Sequence, residues 1–297
     1  MQSSPGTFAT GVSLYSGGAN WVAVGDLNGD GVPDIAVSDP VGVKLIMHTG
    51  VAGAMTYAAP VSIFTQTPNA SVSGANVVAI DIDDPAGRVR ELPGPGHHLG
   101  LTCDLSQPAQ IAATAGAVIE RFGRCDILVN NAAIFPATDL DTVTVETWRR
   151  VQAVNVEAML LLAQAFAPGM RAAGWGRIVN TGSGNTLLQV RDLAYLTSKG
   201  TVHVLTRALA NELGDSGITV NAIAPGIVDT EGFRTRSRPS GATAEQTLTR
   251  LLPMQTIKRR SDPADLAGML AFLVSDDAGF ITGQILHVDG GVTRTGA

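Results

Sequence analysis

A tyrosine and a lysine four residues apart have the clearest chemical use of any pair in this sequence. Tyr195 and Lys199 open a segment of helical periodicity, residues 195–213, and their spacing puts both side chains on one face within a turn. A phenol with an ordinary pKa of about 10 is a poor base at neutral pH, but a neighbouring ammonium favours the phenolate. Tyr195 could then exchange a proton with an alcohol oxygen. Taken alone, the same spacing also describes an ordinary pair on a helix surface.

Four polar residues precede this pair, beside predicted strands or within a predicted helix. Ser183 follows the buried strand-like run 177–180 in a turn of small residues, so its hydroxyl can point out of the carboxyl edge of a sheet. Asn130 and Asn131 follow a second strand-like run, 127–129. Asn155 interrupts an otherwise apolar helix face, where an asparagine is most often just a hydrogen-bonded polar residue. The order of these residues along the chain gives them a second interpretation.

Taken in order, these motifs resemble the short-chain dehydrogenase/reductase family, from about Gly74 to Gly291. The resemblance implies hydride transfer between a nicotinamide cofactor and the alcohol or carbonyl carbon of a small-molecule substrate. It also implies a catalytic tetrad of water relay, substrate anchor, acid/base and pKa-lowering group: Asn155, Ser183, Tyr195 and Lys199. Two departures are Ala133, where the family usually has glycine, and a loop before Tyr195 that is one residue short.

The resemblance extends to the cofactor. Residues 77–81 resemble the family's second strand, which ends in an acid that accepts hydrogen bonds from the adenosine ribose, here Asp81. This carboxylate would repel a 2′-phosphate, so NAD is favoured over NADP; the alternative is that Asp81 is a strand-end turn residue. The remaining implied cofactor contacts are Asp104, Leu105, Asn131, Ala132, Tyr195, Lys199, Pro225, Gly226, Val228 and Thr230.

Strands and helices alternate after about residue 70, which predicts an α/β fold with a doubly wound, Rossmann-like parallel sheet. The strand-like runs are 77–81, 99–103, 127–129, 177–180, 219–223 and 285–288. Helical periodicity covers 109–122, 145–172, 195–213 and 263–273. The sequence therefore predicts a catalytic domain over residues 74–297, preceded by an atypical β-rich segment over residues 1–73.

Acidic and amide side chains alternate in the N-terminal segment. Asp26, Asn28, Asp30 and Asp34 surround the glycine of a sharp turn, and such oxygen ligands suit a hard cation such as calcium. Spacing and flanks resemble an FG-GAP repeat, the calcium-binding blade of integrin-type β-propellers, over about residues 5–65. The alternative is an Asp- and Gly-rich hairpin turn that binds nothing.

The family's first strand, glycine-rich turn and following helix are not found intact before residue 74. That strand is central in the family's sheet and its loop carries the cofactor pyrophosphate, so its loss would expose backbone groups and apolar faces. Residues 43–54 resemble this unit only in part, and Pro60 and Pro68 obstruct the helix that should follow. Three hypotheses therefore stay open: an NAD-dependent enzyme, a scaffold that binds NAD poorly, and a calcium-dependent interaction module.

Composition restricts the partners. A chain of 297 residues with 45% hydrophobic residues can bury a substantial core. Only 15% of the residues are charged and the net charge is −6, so no basic face for nucleic acid or anionic lipid is expected. No run has the character of a signal peptide or a membrane span, which predicts a cytoplasmic protein. Cys103 and Cys125 are expected to be free thiols.

Two further expectations concern association and substrate. The helices predicted over 145–172 and 195–213 carry apolar residues on more than one face, which predicts a homo-oligomer, and the family resemblance favours a tetramer. Arg234, Arg236 and Arg238 lie in a region that resembles the family's variable substrate lid. They could meet an anionic substrate, or they could be solvated charges on a loop.

Overall fold

A computed structural model describes residues 78–82, 85, 98–188, 192–230, 233–234 and 241–293, together with the backbone of four short strands nearer the N-terminus. These strands are β1 (Trp21–Gly25), β2 (Asp34–Asp39), β3 (Gly42–Ile46) and β4 (Val61–Ser62). They form one antiparallel sheet in the order β1-β2-β3-β4. Strand β3, in the segment that resembles the family's first unit only in part, therefore pairs with β2 and β4 and does not enter the parallel sheet.

A four-stranded parallel sheet forms the centre of the second part. Its strands are β7 (Ile127–Asn130), β8 (Gly176–Thr181), β9 (Ile218–Pro225) and β10 (Ile285–Val288), in the order β10-β9-β8-β7. All three pairings are parallel. Strands β8 and β9 are buried over nearly their whole length, as expected of parallel strands with helices on both faces. The predicted Rossmann-like sheet is confirmed.

The second and third strands of the family's order form a separate parallel pair. They are β5 (Val78–Asp81) and β6 (Leu99–Thr102), and together they make a two-stranded sheet. Within the part of the chain that the structure describes, no strand joins β5 to β7. The parallel sheet is thus divided where the sequence lacks the expected central strand.

Helices pack on both faces of the four-stranded sheet. They are α1 (Pro108–Phe122), α2 (Val145–Gln152), a π-helix (Ala153–Glu157), α3 (Ala158–Ala173), α4 (Leu193–Leu213), α5 (Ala244–Leu251) and α6 (Ala264–Val274). One apolar cluster joins α1, α3 and the inner face of β8, and Val78, Ile80 and Leu101 of the separate strand pair pack against it. A second cluster lies between the sheet and α6.

The continuous helical stretch Val145–Ala173 is long and apolar enough to cross a membrane by length and composition, with a mean hydropathy of 1.3. Half of its apolar window is buried inside the protein, and a core helix of a soluble protein has the same properties. Leu162 belongs to the apolar cluster that packs against the sheet and Met159 is also buried, whereas Leu160 is 36% exposed. The succession of apolar residues thus serves two faces of the helix, as the sequence suggested.

Candidate functional site

The start of α4 is fixed to the loop that follows β7. The Thr138 carbonyl accepts a hydrogen bond from the Leu193 amide at 3.1 Å, and the Thr138 hydroxyl accepts one from the Ala194 amide at 3.1 Å. The same hydroxyl donates to Asp192 Oδ1 at 3.3 Å. Thr138 is itself buried. It therefore sets the position of the first turn of α4, which carries Tyr195.

Lys199 lies one turn further along α4 and is almost completely buried, with 1% of its surface exposed. Its Nζ donates to the carbonyl of Thr181, at the end of β8, at 2.6 Å. The ammonium is 5.7 Å from the centroid of the Tyr195 ring, which also meets the Phe135 ring edge-on at 6.0 Å. Burial lowers the pKa of Lys199 to about 8. A desolvated cation thus stands beside the phenol that the sequence singled out.

Asn155 lies in the π-helix, and its carboxamide is fully buried. Its Oδ1 accepts from the Ile134 amide at 2.8 Å, and its Nδ2 donates to the Ile134 carbonyl at 2.9 Å and to Ser198 Oγ at 3.0 Å. Ser198 Oγ in turn donates to the Tyr195 carbonyl at 2.7 Å. A single π turn in an α-helix often accompanies function. Here it aims an amide that connects the loop after β7 to the backbone of Tyr195.

Ser183 lies two residues beyond β8 and is buried. Its hydroxyl accepts a hydrogen bond from the Asn185 amide at 3.2 Å and begins a short 3₁₀ turn. Its own amide donates to Nε2 of His203, on α4, at 3.3 Å. The structure therefore brings the four predicted tetrad residues to one edge of the sheet, through Thr181, Ser198 and His203.

Apart from Tyr195 and Lys199, which lie on α4, the implied cofactor residues follow or end parallel strands at their carboxyl ends, where ligands of such sheets bind. Asn131 follows β7, and its Oδ1 accepts from the Thr181 hydroxyl at 3.2 Å. Gly226 follows β9 and must be glycine, because a Cβ there would lie 2.8 Å from the Cβ of Asp289. Asp81 ends β5 with an exposed side chain.

The other implied cofactor positions are held by local contacts. The Asp104 carboxylate accepts from the amide and the hydroxyl of Ser106, and these bonds lower its pKa. Leu105 packs against the core cluster that contains α1. Val228 forms an isolated parallel bridge with Ser261, and the Thr230 hydroxyl accepts from the Phe233 amide at 3.1 Å.

The predicted calcium ligands are not tested as a site. Asp26, Asn28 and Asp30 lie outside the described residues, and only the backbone of Asp34 is described, at the start of β2. Among the residues that the structure describes in full, no cluster of three or more His, Cys, Asp or Glu side chains could hold a metal ion. The calcium site therefore stays a prediction.

The arginines of the lid region differ in their environment. Arg234 forms a bidentate ion pair with Asp229, at 2.7 and 3.0 Å, and Arg260 approaches the same carboxylate at 3.4 Å. Arg236 and Arg238 lie outside the described residues. Arg234 is thus already engaged by a carboxylate five residues before it, which disfavours it as a free partner for an anionic substrate.

Sequence reasoning missed Thr138 and His203. Thr138 precedes α4 by more than 50 residues, so no local pattern links it to Tyr195. His203 carried a signal, because it continues the face of Tyr195 and Lys199 by one more turn. Cys103 and Cys125 are free thiols, as expected, and burial raises the pKa of Cys125 to about 12.

Two family models match this chain. A model described as Enoyl-(Acyl carrier protein) reductase matches residues 68–293, and an FG-GAP repeat model matches residues 18–54. The chain belongs to the short-chain dehydrogenase/reductase family. The matched regions agree with the order of the two segments that the sequence predicted.

Individual short-chain dehydrogenase/reductase relatives cover most of this chain. Galactitol 2-dehydrogenase (L-tagatose-forming) of Cereibacter sphaeroides is 38% identical over 228 residues, which are 75% of this chain and 87% of the relative. D-threitol dehydrogenase of Mycolicibacterium smegmatis is 34% identical over 228 residues, 75% of this chain and 85% of the relative. A blue fluorescent protein from a metagenomic library, solved in complex with NADPH, superposes with a TM-score of 0.67 at 31% identity, over 74% of this chain and 89% of that one.

Proposed function

We propose that this family member is an NAD(P)-dependent oxidoreductase that interconverts a secondary alcohol and a carbonyl by hydride transfer, with Tyr195 as the acid/base. The burial of Lys199 beside the Tyr195 ring is the observation that carries the proposal. A buried ammonium is costly unless it is paired, and no carboxylate pairs with Lys199 among the described residues. Such perturbed cations concentrate at functional sites.

Each tetrad residue has a defined part in this proposal. The Lys199 charge stabilises the phenolate of Tyr195, which takes the alcohol proton as the hydride leaves carbon. Ser183 uses its hydroxyl oxygen as an acceptor for Asn185, which leaves the hydroxyl proton available to the substrate oxygen. The sequence suggested Asn155 as a water relay, and its bonds to Ile134 and Ser198 also hold the Tyr195 turn in place.

Both ends of a nicotinamide dinucleotide have residues to hold them. Asn131, Gly226 and Thr230 lie at the edge of the four-stranded sheet for the nicotinamide end, and Asp81 and Asp104 lie beside β5 and β6 for the adenosine end. When bound, the nicotinamide supplies the hydride acceptor or donor. We propose NAD as the preferred form because the exposed Asp81 carboxylate would repel a 2′-phosphate. The similar blue fluorescent protein was solved with NADPH, so the preference for NAD over NADP needs a direct test.

The decisive experiment assays the full chain with galactitol, threitol and simple secondary alcohols, with NAD and with NADP. Wild-type protein should produce NADH faster than NADPH. Tyr195→Phe keeps the ring against Phe135 but removes the hydroxyl, and it should lower kcat by at least about a hundredfold. Equal turnover by this variant would refute the role of Tyr195. Asp81→Ser should raise the relative rate with NADP.

The divided sheet favours a second candidate, a scaffold of the same fold that binds NAD poorly. The pyrophosphate loop belongs to the strand that is missing between β5 and β7 in the described residues. A titration of NADH by fluorescence separates the two candidates. Saturation at micromolar concentration supports the enzyme, and no signal at millimolar concentration supports the scaffold.

We also propose a homo-oligomer, with a tetramer favoured. Leu160 on α3 and Val204 on α4 expose apolar surface, and Val204 is 64% exposed. A second subunit would cover such faces. Light scattering of the full chain tests this, and a concentration-independent monomer mass would contradict it.

A further inference from the structure

Helix α4 contacts the backbone at two points, one at the last residue of β8 and one two residues beyond it. Tyr195, Lys199 and His203 follow one another at intervals of four residues, so they share one face of the helix. Lys199 Nζ donates to the Thr181 carbonyl at 2.6 Å, and His203 Nε2 accepts from the Ser183 amide at 3.3 Å. The helix thus holds both ends of the three-residue segment 181–183, by one donor and one acceptor.

The residue between these two points is a glycine for a steric reason. A Cβ on Gly182 would lie 2.4 Å from His203 Nε2 and 2.8 Å from its Cδ2. The imidazole edge therefore rests directly on the Gly182 backbone. The Gly182 amide donates to the Ile223 carbonyl of β9 at 2.7 Å, so the opposite side of the segment is fixed as well. The conformation that carries Ser183 is determined by the sheet on one side and by His203 on the other.

The bond from Ser183 requires His203 to be neutral, with Nε2 unprotonated, because a protonated imidazole nitrogen cannot accept. Burial is the main cause that lowers the pKa of His203, to about 4, and the charges of His287, Arg207 and Lys199 act in the same direction. Lys199 and Arg207 are on α4 itself, and His287 is on β10. The surroundings thus keep the acceptor form throughout the neutral range.

We propose that His203 is a positioning residue of the dehydrogenase site: by accepting the Ser183 amide, it fixes the turn from which the Ser183 hydroxyl meets the substrate oxygen. This inference rests on the proposed function, because it concerns the serine that anchors the substrate there. His203 acts through Ser183 and needs no contact with the substrate. Small errors in the placement of a reacting group are costly to rate, which is why such a support matters.

Three variants test the proposal. His203→Leu removes the acceptor, and His203→Gln supplies an amide oxygen near the position of Nε2. Thr206→Val is the matched control, because Thr206 is a buried polar residue of the same helix that accepts from Asn180 Nδ2 at 3.0 Å and has no bond to Ser183. We expect His203→Leu to lower kcat by about ten- to a hundredfold. His203→Gln should recover most of this loss, and Thr206→Val should change the melting temperature without changing kcat.

The KM for NAD separates positioning from a general loss of structure. It should stay within about twofold in both His203 variants, because the bond concerns the substrate anchor and leaves the cofactor residues in place. A His203→Leu enzyme with wild-type kcat would overturn the proposal. So would a Gln variant as slow as the Leu variant.

A measurement that needs no turnover distinguishes failure of this inference from failure of the proposed function. Protein labelled with ¹⁵N at serine and histidine should show a through-hydrogen-bond coupling between the Ser183 amide nitrogen and His203 Nε2, with Ser183→Ala assigning the serine signal. If the coupling is present and no alcohol is oxidised, the proposed function is wrong and the His203 contact stands as structure alone. If Nε2 is protonated or the coupling is absent, the proposal fails, whatever the activity.

Discussion

Replacing the buried lysine of the site should make the protein more stable while it removes activity. The pKa of Lys199 falls from 10.5 to about 8 because the ammonium is desolvated, so charging it in the folded state costs about 3 kcal/mol at pH 7. Lys199→Met removes this cost and fills much of the same volume. It also removes the hydrogen bond to the Thr181 carbonyl, which contributes about 1 kcal/mol. We therefore expect Met at 199 to stabilise the fold by about 2 kcal/mol at pH 7.

The difference in stability between the wild type and Lys199→Met should depend on pH. The folded pKa lies below the unfolded one, so the unfolded chain binds more protons between pH 8 and pH 10.5, and wild-type stability gains over the variant across that window. The full cost applies below pH 8. Urea midpoints of the two proteins should differ most at pH 7 and converge near pH 10. A variant that is less stable at pH 7, or a difference that does not shrink as the pH rises, would refute the argument.

Three further predictions concern the pH dependence of turnover, a buried arginine and a glycine with a positive φ. Carbonyl reduction, measured as kcat/KM, should fall as the pH rises above about 8, because Lys199 then loses the charge beside Tyr195. Arg177→Ala should lower the free energy of unfolding by about 2 to 4 kcal/mol. The reason is that the buried guanidinium donates to the Ser275 and Gly176 carbonyls and stacks on Trp175. In the matched control, replacement of the exposed Arg171 by alanine should have little effect on the urea midpoint. Gly217→Ala should destabilise the fold by at least about 1 kcal/mol, because φ at this residue is +72° and a Cβ would lie 2.2 Å from the Gly174 carbonyl oxygen. The control is Gly116→Ala on α1, where a Cβ would meet open space. This variant should be more stable than the wild type in the same urea assay.

The strands and helices of the second part could be predicted because each has a pattern that its environment imposes. Strand β8 was expected over 177–180 and runs over Gly176–Thr181. It could be predicted because a central parallel strand is buried on both faces and therefore has a continuous apolar run. Helix α1 was expected over 109–122 and begins at Pro108, a residue that favours the first helical position.

Helix α5, Ala244–Leu251, was missed within a region of mixed charged and apolar residues. The sequence nevertheless contained a signal for the start of this helix. Thr243 accepts from the Gln246 amide, and the Gln246 side chain accepts from the Thr243 amide, which is a complete capping box. No sequence signal marked the π-helix Ala153–Glu157. A π turn contains the same kinds of residues as the α-helix around it, so composition does not reveal it.

The four residues of the predicted tetrad were chosen from the sequence because they stand in the family's order, and their role stays a prediction, whereas the contacts that hold them could not be predicted. Asn155, for example, was expected as a polar interruption of a helix face, and the structure adds the Ile134 and Ser198 partners that orient it. These partners lie 21 and 43 residues away. Only the folding of β7, α3 and α4 together brings them into contact.

The residues proposed for the two ends of the cofactor lie on two separate sheets. The proposed adenosine residue Asp81 belongs to the β5–β6 pair, and the proposed nicotinamide contacts follow β7 and β9 of the four-stranded sheet. In the described residues no strand hydrogen bonds connect these sheets, and Val78, Ile80 and Leu101 join the strand pair to the common core by apolar packing. Packing of this kind is not directional, whereas strand pairing fixes a register. The four proposed tetrad residues lie on the π-helix, on α4 and in the turn after β8, and no strand hydrogen bond in the described residues joins the four-stranded sheet to β5 or β6. We therefore expect loose attachment of β5 and β6 to weaken the proposed cofactor binding before it affects the proposed proton transfer, and for this reason the NADH titration and the Tyr195→Phe assay answer separate questions.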